Sequence, residues 1–216
     1  MNYVKLAAAV TVAAVLGVAG QAVLAQKAPA SGSDFQVGDR LAPGAAAQSG
    51  AKEGAKAGAG FRDITWDDLI PPDWQPEKLF SDLKLDDMQD NDPRVEEVMR
   101  RMRTEWDRAP VIERLAGQRV RIPGFVVPLE TDGKTIREFL LVPYFGACVH
   151  VPPPPANQLI HVMPDKAVPD QWNMAPVWVS GVLAVARTES DMGTAGYQMR
   201  GIRVEPYKEP GAAPER

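Results

Sequence analysis

The sequence is poor in residues that bind metals or carry out covalent chemistry, with one cysteine and two histidines among 216 residues. A single cysteine cannot form an internal disulfide, so packing, a metal or a partner must stabilise the fold. The 24 basic residues are outnumbered by 28 acidic ones, a balance that argues against a nucleic-acid partner. Because no acidic residues form a recognisable paired-carboxylate pattern, we name no catalytic residue and leave enzyme activity uncertain.

The first 25 residues have the pattern of a secretory signal peptide. Lys5 precedes an apolar run over residues 6–20, and Ala25 stands at the expected cleavage position. The run is shorter than the roughly 20 residues that a membrane-spanning helix needs, although an uncleaved N-terminal anchor is the alternative. We therefore predict cleavage near Ala25 and a periplasmic mature chain without a transmembrane span.

The rest of the chain divides by composition. Residues 26–60 contain almost no large apolar side chains, which predicts a disordered linker. Residues 61–210 are of ordinary domain size and predict a single β-rich domain. Residues 211–216 are predicted to be a disordered tail.

Within the domain, one helix precedes a series of strands. Asp92 and Pro93 are favourable first residues for an amphipathic helix that ends at about Asp107. Five to six short strands follow at regular spacing, which predicts a mostly β fold: a small OB-like barrel or, alternatively, a sandwich. The predicted strands are 119–129, 137–144, the two segments flanking the prolines of residues 152–155, 177–186 and 196–204.

The cysteine and both histidines lie within 14 residues of one another, as Cys148, His150 and His161. If the chain formed a β-hairpin here with Val151 paired to Gln158, Cys148 would stand opposite His161. Strand alternation would then place all three side chains on one face. This arrangement predicts a candidate metal site.

Three interpretations of these residues remain open. One thiolate and two imidazoles suit zinc with an open fourth position, or copper with Met163 or another thioether as a further ligand. Alternatively, Cys148 is a redox or nucleophilic thiol with His150 as its base. In the third interpretation, Cys148 is a small buried hydrophobic residue and the histidines bond to backbone carbonyls.

Between the candidate ligands lies a proline-rich segment with two amides. The prolines are Pro152, Pro153, Pro154 and Pro155. Such a run is recognised by aromatic grooves in some proteins, but inside a compact domain it favours a rigid wall that fixes the loop. Asn157 and Gln158 are expected to stabilise the turn through amide hydrogen bonds.

Residues 143–158 read Pro-Tyr-Phe-Gly-Ala-Cys-Val-His-Val-Pro-Pro-Pro-Pro-Ala-Asn-Gln. This segment resembles the motif of a bacterial family of exported proteins known as a domain of unknown function, and the resemblance covers about residues 63–207. It implies a periplasmic protein or lipoprotein, encoded near transport permeases and linked to the handling of zinc or other metals. Cys148 and His150 match the family pattern, whereas His161 stands where the family usually has an apolar or aromatic residue. A further ligand would then come from elsewhere, such as Asp67, Asp68 or Asp165.

We therefore expect an exported metal-binding or transport-accessory protein that uses Cys148 and His150, with zinc or copper as the metal. Its expected partner is an inner-membrane transport complex. Two alternatives remain: a thiol-dependent enzyme, and an interaction module that docks on such a complex. The interaction module would use the proline segment and four indoles, those of Trp66, Trp74, Trp172 and Trp178.

Overall fold

The computed structural model describes residues 35–42, 60–79, 94–149 and 153–208. The predicted signal peptide, the tail, most of the linker, His150 and Pro152 lie outside these ranges. Within them, no helix combines the length and the apolar character that crossing a bilayer requires.

The described part of the chain is mostly β, as predicted. The strands are β1 (Arg62–Asp63), β2 (Arg119–Thr131), β3 (Thr135–Val142), β4 (Ile160–Pro164), β5 (Val168–Pro169), β6 (Pro176–Ser190) and β7 (Gly193–Pro206). The described residues thus contain seven strands instead of five to six, because β1 and β5 are two-residue strands that no sequence pattern indicated. The longer strands β2, β3, β6 and β7 coincide with predicted ones.

Among the described residues, two α-helices precede the long strands. Helix α1 (Pro76–Leu79) is a single turn, and α2 (Val95–Asp107) is the predicted amphipathic helix. Helix α2 ends at Asp107, as expected, whereas the proposed N-terminal residues Asp92 and Pro93 lie outside the described ranges. Only Val98 of its described side chains is fully buried, so α2 packs lightly on the sheet.

The strands form one sheet that closes on itself. Its order is β1-β2-β6-β7-β4-β3-β5, and an additional β2–β3 pairing joins β2, β6, β7, β4 and β3 into a ring. Strand β2 makes this closure possible because its first half, residues 119–125, pairs with β6 and its second half, residues 125–131, pairs with β3. A single closed sheet thus takes the place of the alternative two-layer sandwich.

The predicted hairpin around the prolines is wrong. Strand β4 pairs antiparallel with β3 and parallel with β7, and it has no partner among residues 148 and 149. Cys148 has a φ of 65° and Gly146 a φ of 84°, left-handed values that an extended strand does not allow. The chain turns at Cys148, so this residue is not opposite His161.

Two apolar clusters cover the two faces of the ring. The larger cluster uses one set of alternating strand residues and includes Ile122, Val179 and Tyr197. The smaller one lies on the other face of β2 and β3 and includes Phe125 and Leu140. The loop that carries Cys148 packs against this second cluster.

Replacing Tyr197 with Phe tests how the larger cluster is joined to the segments outside the strands. The fully buried Tyr197 hydroxyl donates to the Leu69 carbonyl at 2.8 Å and accepts from the Ile112 amide at 2.7 Å. Tyr197→Phe leaves both groups unpaired, and we expect the free energy of unfolding to fall by about 1–3 kcal/mol in urea denaturation.

Tyr207→Phe is the matched control, because the Tyr207 hydroxyl donates to the Ala42 carbonyl in an exposed position. We expect this variant to stay within about 0.5 kcal/mol of wild type. Equal losses in the two variants would contradict the role given to Tyr197.

Candidate functional site

Cys148 lies in a tight turn that follows β3. The Ala147 amide donates to the Tyr144 carbonyl at 3.4 Å, and the Val149 amide donates to the Gly146 carbonyl at 3.3 Å. The left-handed backbone of Cys148 costs a residue other than glycine roughly 1–2 kcal/mol. Such strain concentrates at functional sites, so the turn marks Cys148 as a candidate functional residue.

A segment near the N-terminus holds this turn in place. Residues 35–42, here called the N-terminal strap, run beside the loop. The backbone amide of Phe145 donates to the backbone carbonyl of Asp39 at 2.9 Å, and the backbone amide of Gly38 donates to the backbone carbonyl of Phe145 at 3.0 Å. The Phe35 ring meets the ring of Phe125 edge-on, with centroids 5.1 Å apart. The strap belongs to the stretch 26–60, whose overall composition did not indicate this packing.

The proline segment forms a second wall of the site. Pro153 packs on the turn between β6 and β7, where a Cβ on Gly193 would come within 2.8 Å of the Pro153 Cβ. A Cβ on Gly196 would come within 2.8 Å of the Ala156 carbonyl oxygen. Only glycine allows the two segments to approach this closely.

Asn157 and Gln158 bind distant segments in addition to stabilising their own turn. The side-chain amide of Asn157 donates to the Pro110 carbonyl at 3.0 Å. The side-chain amide of Gln158 donates to the Trp66 carbonyl at 2.8 Å and to the backbone carbonyl of Asn157 at 3.1 Å. Both side chains are buried. They therefore anchor the proline segment to the rest of the domain.

A cavity of about 400 Å³ lies between α2, the Cys148 turn, the proline segment and the β6–β7 turn. Its lining includes four sulfur-bearing side chains and two aromatic rings. The lining residues are Met99, Met102, Arg103, Trp106, Asp107, Tyr144, Cys148, Pro153, Pro154, Ser190, Asp191, Met192, Gly193 and Thr194. The only thiol of the chain and three thioethers therefore share one cavity.

The surroundings of Cys148 keep its thiol protonated. Burial raises the pKa of Cys148 to about 12. Burial and, to a smaller extent, the neighbouring Cys148 raise the pKa of Tyr144. The thiol is therefore a weak nucleophile at neutral pH unless a cation displaces its proton.

His161 occupies a different place. It lies in β4 with 6% of its surface exposed, and its Nε2 is 2.8 Å from Glu138 Oε2. Its Nδ1 is buried and has no hydrogen-bond partner among the described residues. His161 does not line the cavity that holds Cys148.

The other suggested ligands also lie away from the cavity. Asp67 and Asp68 are in a 3-10 turn, Asp165 forms an ion pair with Arg200 at 2.7 Å, and Met163 is 37% exposed on β4. In the described ranges, no three His, Cys, Asp or Glu side chains gather in a way that could hold a metal.

Sequence reasoning missed the methionines of the cavity. Met99, Met102 and Trp106 recur at helical spacing, which is typical of a core-facing stripe of α2. Met192 lies in a two-residue connection between strands. A partial signal was present, since Met163 or another thioether was expected as a copper ligand, but nothing in the sequence singled out these three methionines.

The fold and the site together define a class of protein: a closed, mostly β sheet with one amphipathic helix and a thiol-bearing loop beside a cavity. The chain belongs to the DUF3299 family, whose description is "Protein of unknown function". The family model matches residues 66–206. This result confirms the predicted membership of a domain-of-unknown-function family.

One solved structure illustrates the family. A DUF3299 family protein from Pseudomonas aeruginosa PAO1 is similar to this chain, with 35% sequence identity and a TM-score of 0.56. The similarity covers 71% of this chain and 100% of the other. Among curated proteins, none matches this chain. These comparisons establish the family and the fold.

The raised pKa of Cys148 predicts an unusual pH dependence of alkylation. We expect the iodoacetamide rate of the native protein to rise about tenfold per pH unit between about pH 7 and 10, because only the thiolate reacts. In urea-unfolded protein, the same thiol should level off above about pH 9, since an unperturbed thiol has a pKa near 8.5. A native rate that levels off by pH 9 would contradict the burial of the thiol.

The strap predicts a coupling between Phe35 and the reactivity of Cys148. Phe35→Ala removes a ring that packs on Phe125 and Phe145, so we expect Cys148 to be alkylated faster at fixed pH. We also expect a stability loss of about 1–2 kcal/mol, below that of a fully buried ring. Val37→Ala is the control, because Val37 is 52% exposed. Equal alkylation rates in the two variants would show that the strap does not protect the site.

Proposed function

We propose that this protein is an exported metal-binding accessory protein that holds a thiophilic metal ion at Cys148. The observation that carries the proposal is the cavity that the only thiol of the chain lines together with three thioethers. Thiolate and thioether sulfurs are ligands for copper, and thiolate is also a ligand for zinc. His150, two residues after Cys148 in the sequence, is proposed as an additional ligand.

The environment of the thiol fits a role as a ligand better than a role as a nucleophile. A pKa of about 12 leaves very little thiolate at neutral pH, which disfavours the alternative of a thiol-dependent enzyme. A bound cation would displace the proton, so metal affinity should increase with pH. The strained turn and the strap would fix the thiol in place before the metal arrives.

The proposed setting is the periplasm, where the protein would assist an inner-membrane transport complex. The signal-peptide pattern of residues 1–25 supports export. Docking through three of the four indoles has little support, because Trp66, Trp172 and Trp178 are buried. The Trp66 indole donates to the Pro123 carbonyl at 2.8 Å, and Trp178 stacks on Tyr207. These three rings therefore serve the fold.

Metal uptake tests the proposal. Reduced wild-type protein, loaded without oxygen with Zn²⁺ or Cu⁺ and then desalted, should retain about one ion per chain. Cys148→Ser should abolish retention of the ion, and His150→Gln should weaken it. Metal content is measured by mass spectrometry of the desalted protein.

His161→Gln serves as the matched control, because His161 lies outside the cavity and should leave uptake unchanged. No uptake by the wild type would overturn the proposal. Uptake that survives Cys148→Ser but is lost in His161→Gln would overturn it as well, because the metal would then bind elsewhere.

A further inference from the structure

We infer that the site selects a soft monovalent cation, Cu⁺, over Zn²⁺, because the thioethers of Met99, Met102 and Met192 supply the remaining ligands. This inference rests on the proposed metal-binding function and specifies its cargo. Thioether sulfur is a soft ligand that binds Cu⁺ well and contributes little to zinc sites.

The three methionines and the thiol line one cavity. Met99 and Met102 are three residues apart on α2, so they lie on the same face of the helix, one turn from each other. Met192 reaches the cavity from the β6–β7 turn, and both Met192 and Cys148 pack against the smaller apolar cluster. Sulfur atoms thus approach the cavity from three separate segments of the chain.

These methionines differ from ordinary core filling. Methionine commonly fills irregular gaps inside a core, but Met99 is 39% exposed and Met102 and Met192 are only half-buried. Val98 is the fully buried residue among the described side chains of α2. The thioethers therefore remain accessible at the wall of a cavity, where a small ion can reach them.

Carboxylates are fewer than sulfur atoms in the lining of the cavity. Asp107 and Asp191 line the same cavity, but within the described residues no three His, Cys, Asp or Glu groups come together. A zinc site normally needs at least three such ligands. Binding of Cu⁺ changes no oxidation state: the Cys148 proton passes to solvent as the copper–sulfur bond forms.

The test compares affinities for the two ions in methionine variants. Cu⁺ affinity is measured without oxygen by competition with bathocuproine disulfonate, and Zn²⁺ affinity by competition with a chromophoric zinc chelator. We expect the double variant Met99→Leu/Met102→Leu and the single variant Met192→Leu each to lower Cu⁺ affinity by at least about tenfold. This factor is the lower end of the loss in affinity that a metal site suffers when an outer-shell partner is removed. Zn²⁺ affinity should stay unchanged.

Leucine nearly conserves the volume of methionine, so the fold should tolerate these changes, and thermal unfolding checks that it does. Met163→Leu is the matched control, because Met163 is an exposed methionine of β4 outside the cavity. Cu⁺ affinity equal to that of wild type in the triple variant Met99→Leu/Met102→Leu/Met192→Leu would overturn this inference.

The outcomes separate the two proposals. If a metal binds only when Cys148 is present but ignores the methionines, the inference about thioethers fails and the proposed function stands. A second result has the same meaning: Zn²⁺ binding at Cys148 is lost in Asp107→Asn or Asp191→Asn, and the methionine variants bind both ions as wild type does. In that case too, the inference about thioethers fails and the proposed function stands. If wild type binds neither ion, both proposals fail.

Discussion

The arrangement of the site depends on one parallel pairing, that of β4 with β7. Ile160 aligns with Tyr197, so the segments that precede these residues run side by side in the same direction. The proline segment therefore lies along the β6–β7 turn, and Gly193 and Gly196 allow the backbones to approach closely. Without this pairing, Pro153 would not form a wall of the cavity, and Met192 would not line the same cavity as Cys148.

The second constraint is the closure of the ring by β2 and β3. Phe125 is aligned with Val142 of β3 and with Pro176 of β6, so it marks the place where β2 changes partners. The loop leaving β3 packs on the apolar face around Phe125, and Phe35 of the strap contacts the same ring. A strained turn at Cys148 is tolerated because packing on both sides over-determines it.

Much of the fold could be predicted because strands and helices leave local signals. Observed strands match the predicted ranges 119–129, 177–186 and 196–204. These strands could be predicted because the alternation of apolar and polar residues, and the glycines and prolines that interrupt or end a strand, are visible in neighbouring residues. The pairing of β4 could not be read this way, because its partners lie at least 19 residues away and the hairpin assumption favoured an adjacent segment. The cavity was missed for the same reason: its sulfurs come from segments far apart in the sequence, and Met99 and Met102 look like an ordinary helical core stripe.

In the proposed function, a soft metal ion binds to sulfur ligands in this cavity. The most direct measurement is copper K-edge X-ray absorption of the Cu⁺-loaded, reduced protein, which reports the elements and distances of the first coordination shell. Sulfur ligation would give a shell dominated by sulfur, with sulfur scattering reduced in Met99→Leu/Met102→Leu. A shell of nitrogen and oxygen alone, identical in wild type and variant, would contradict it.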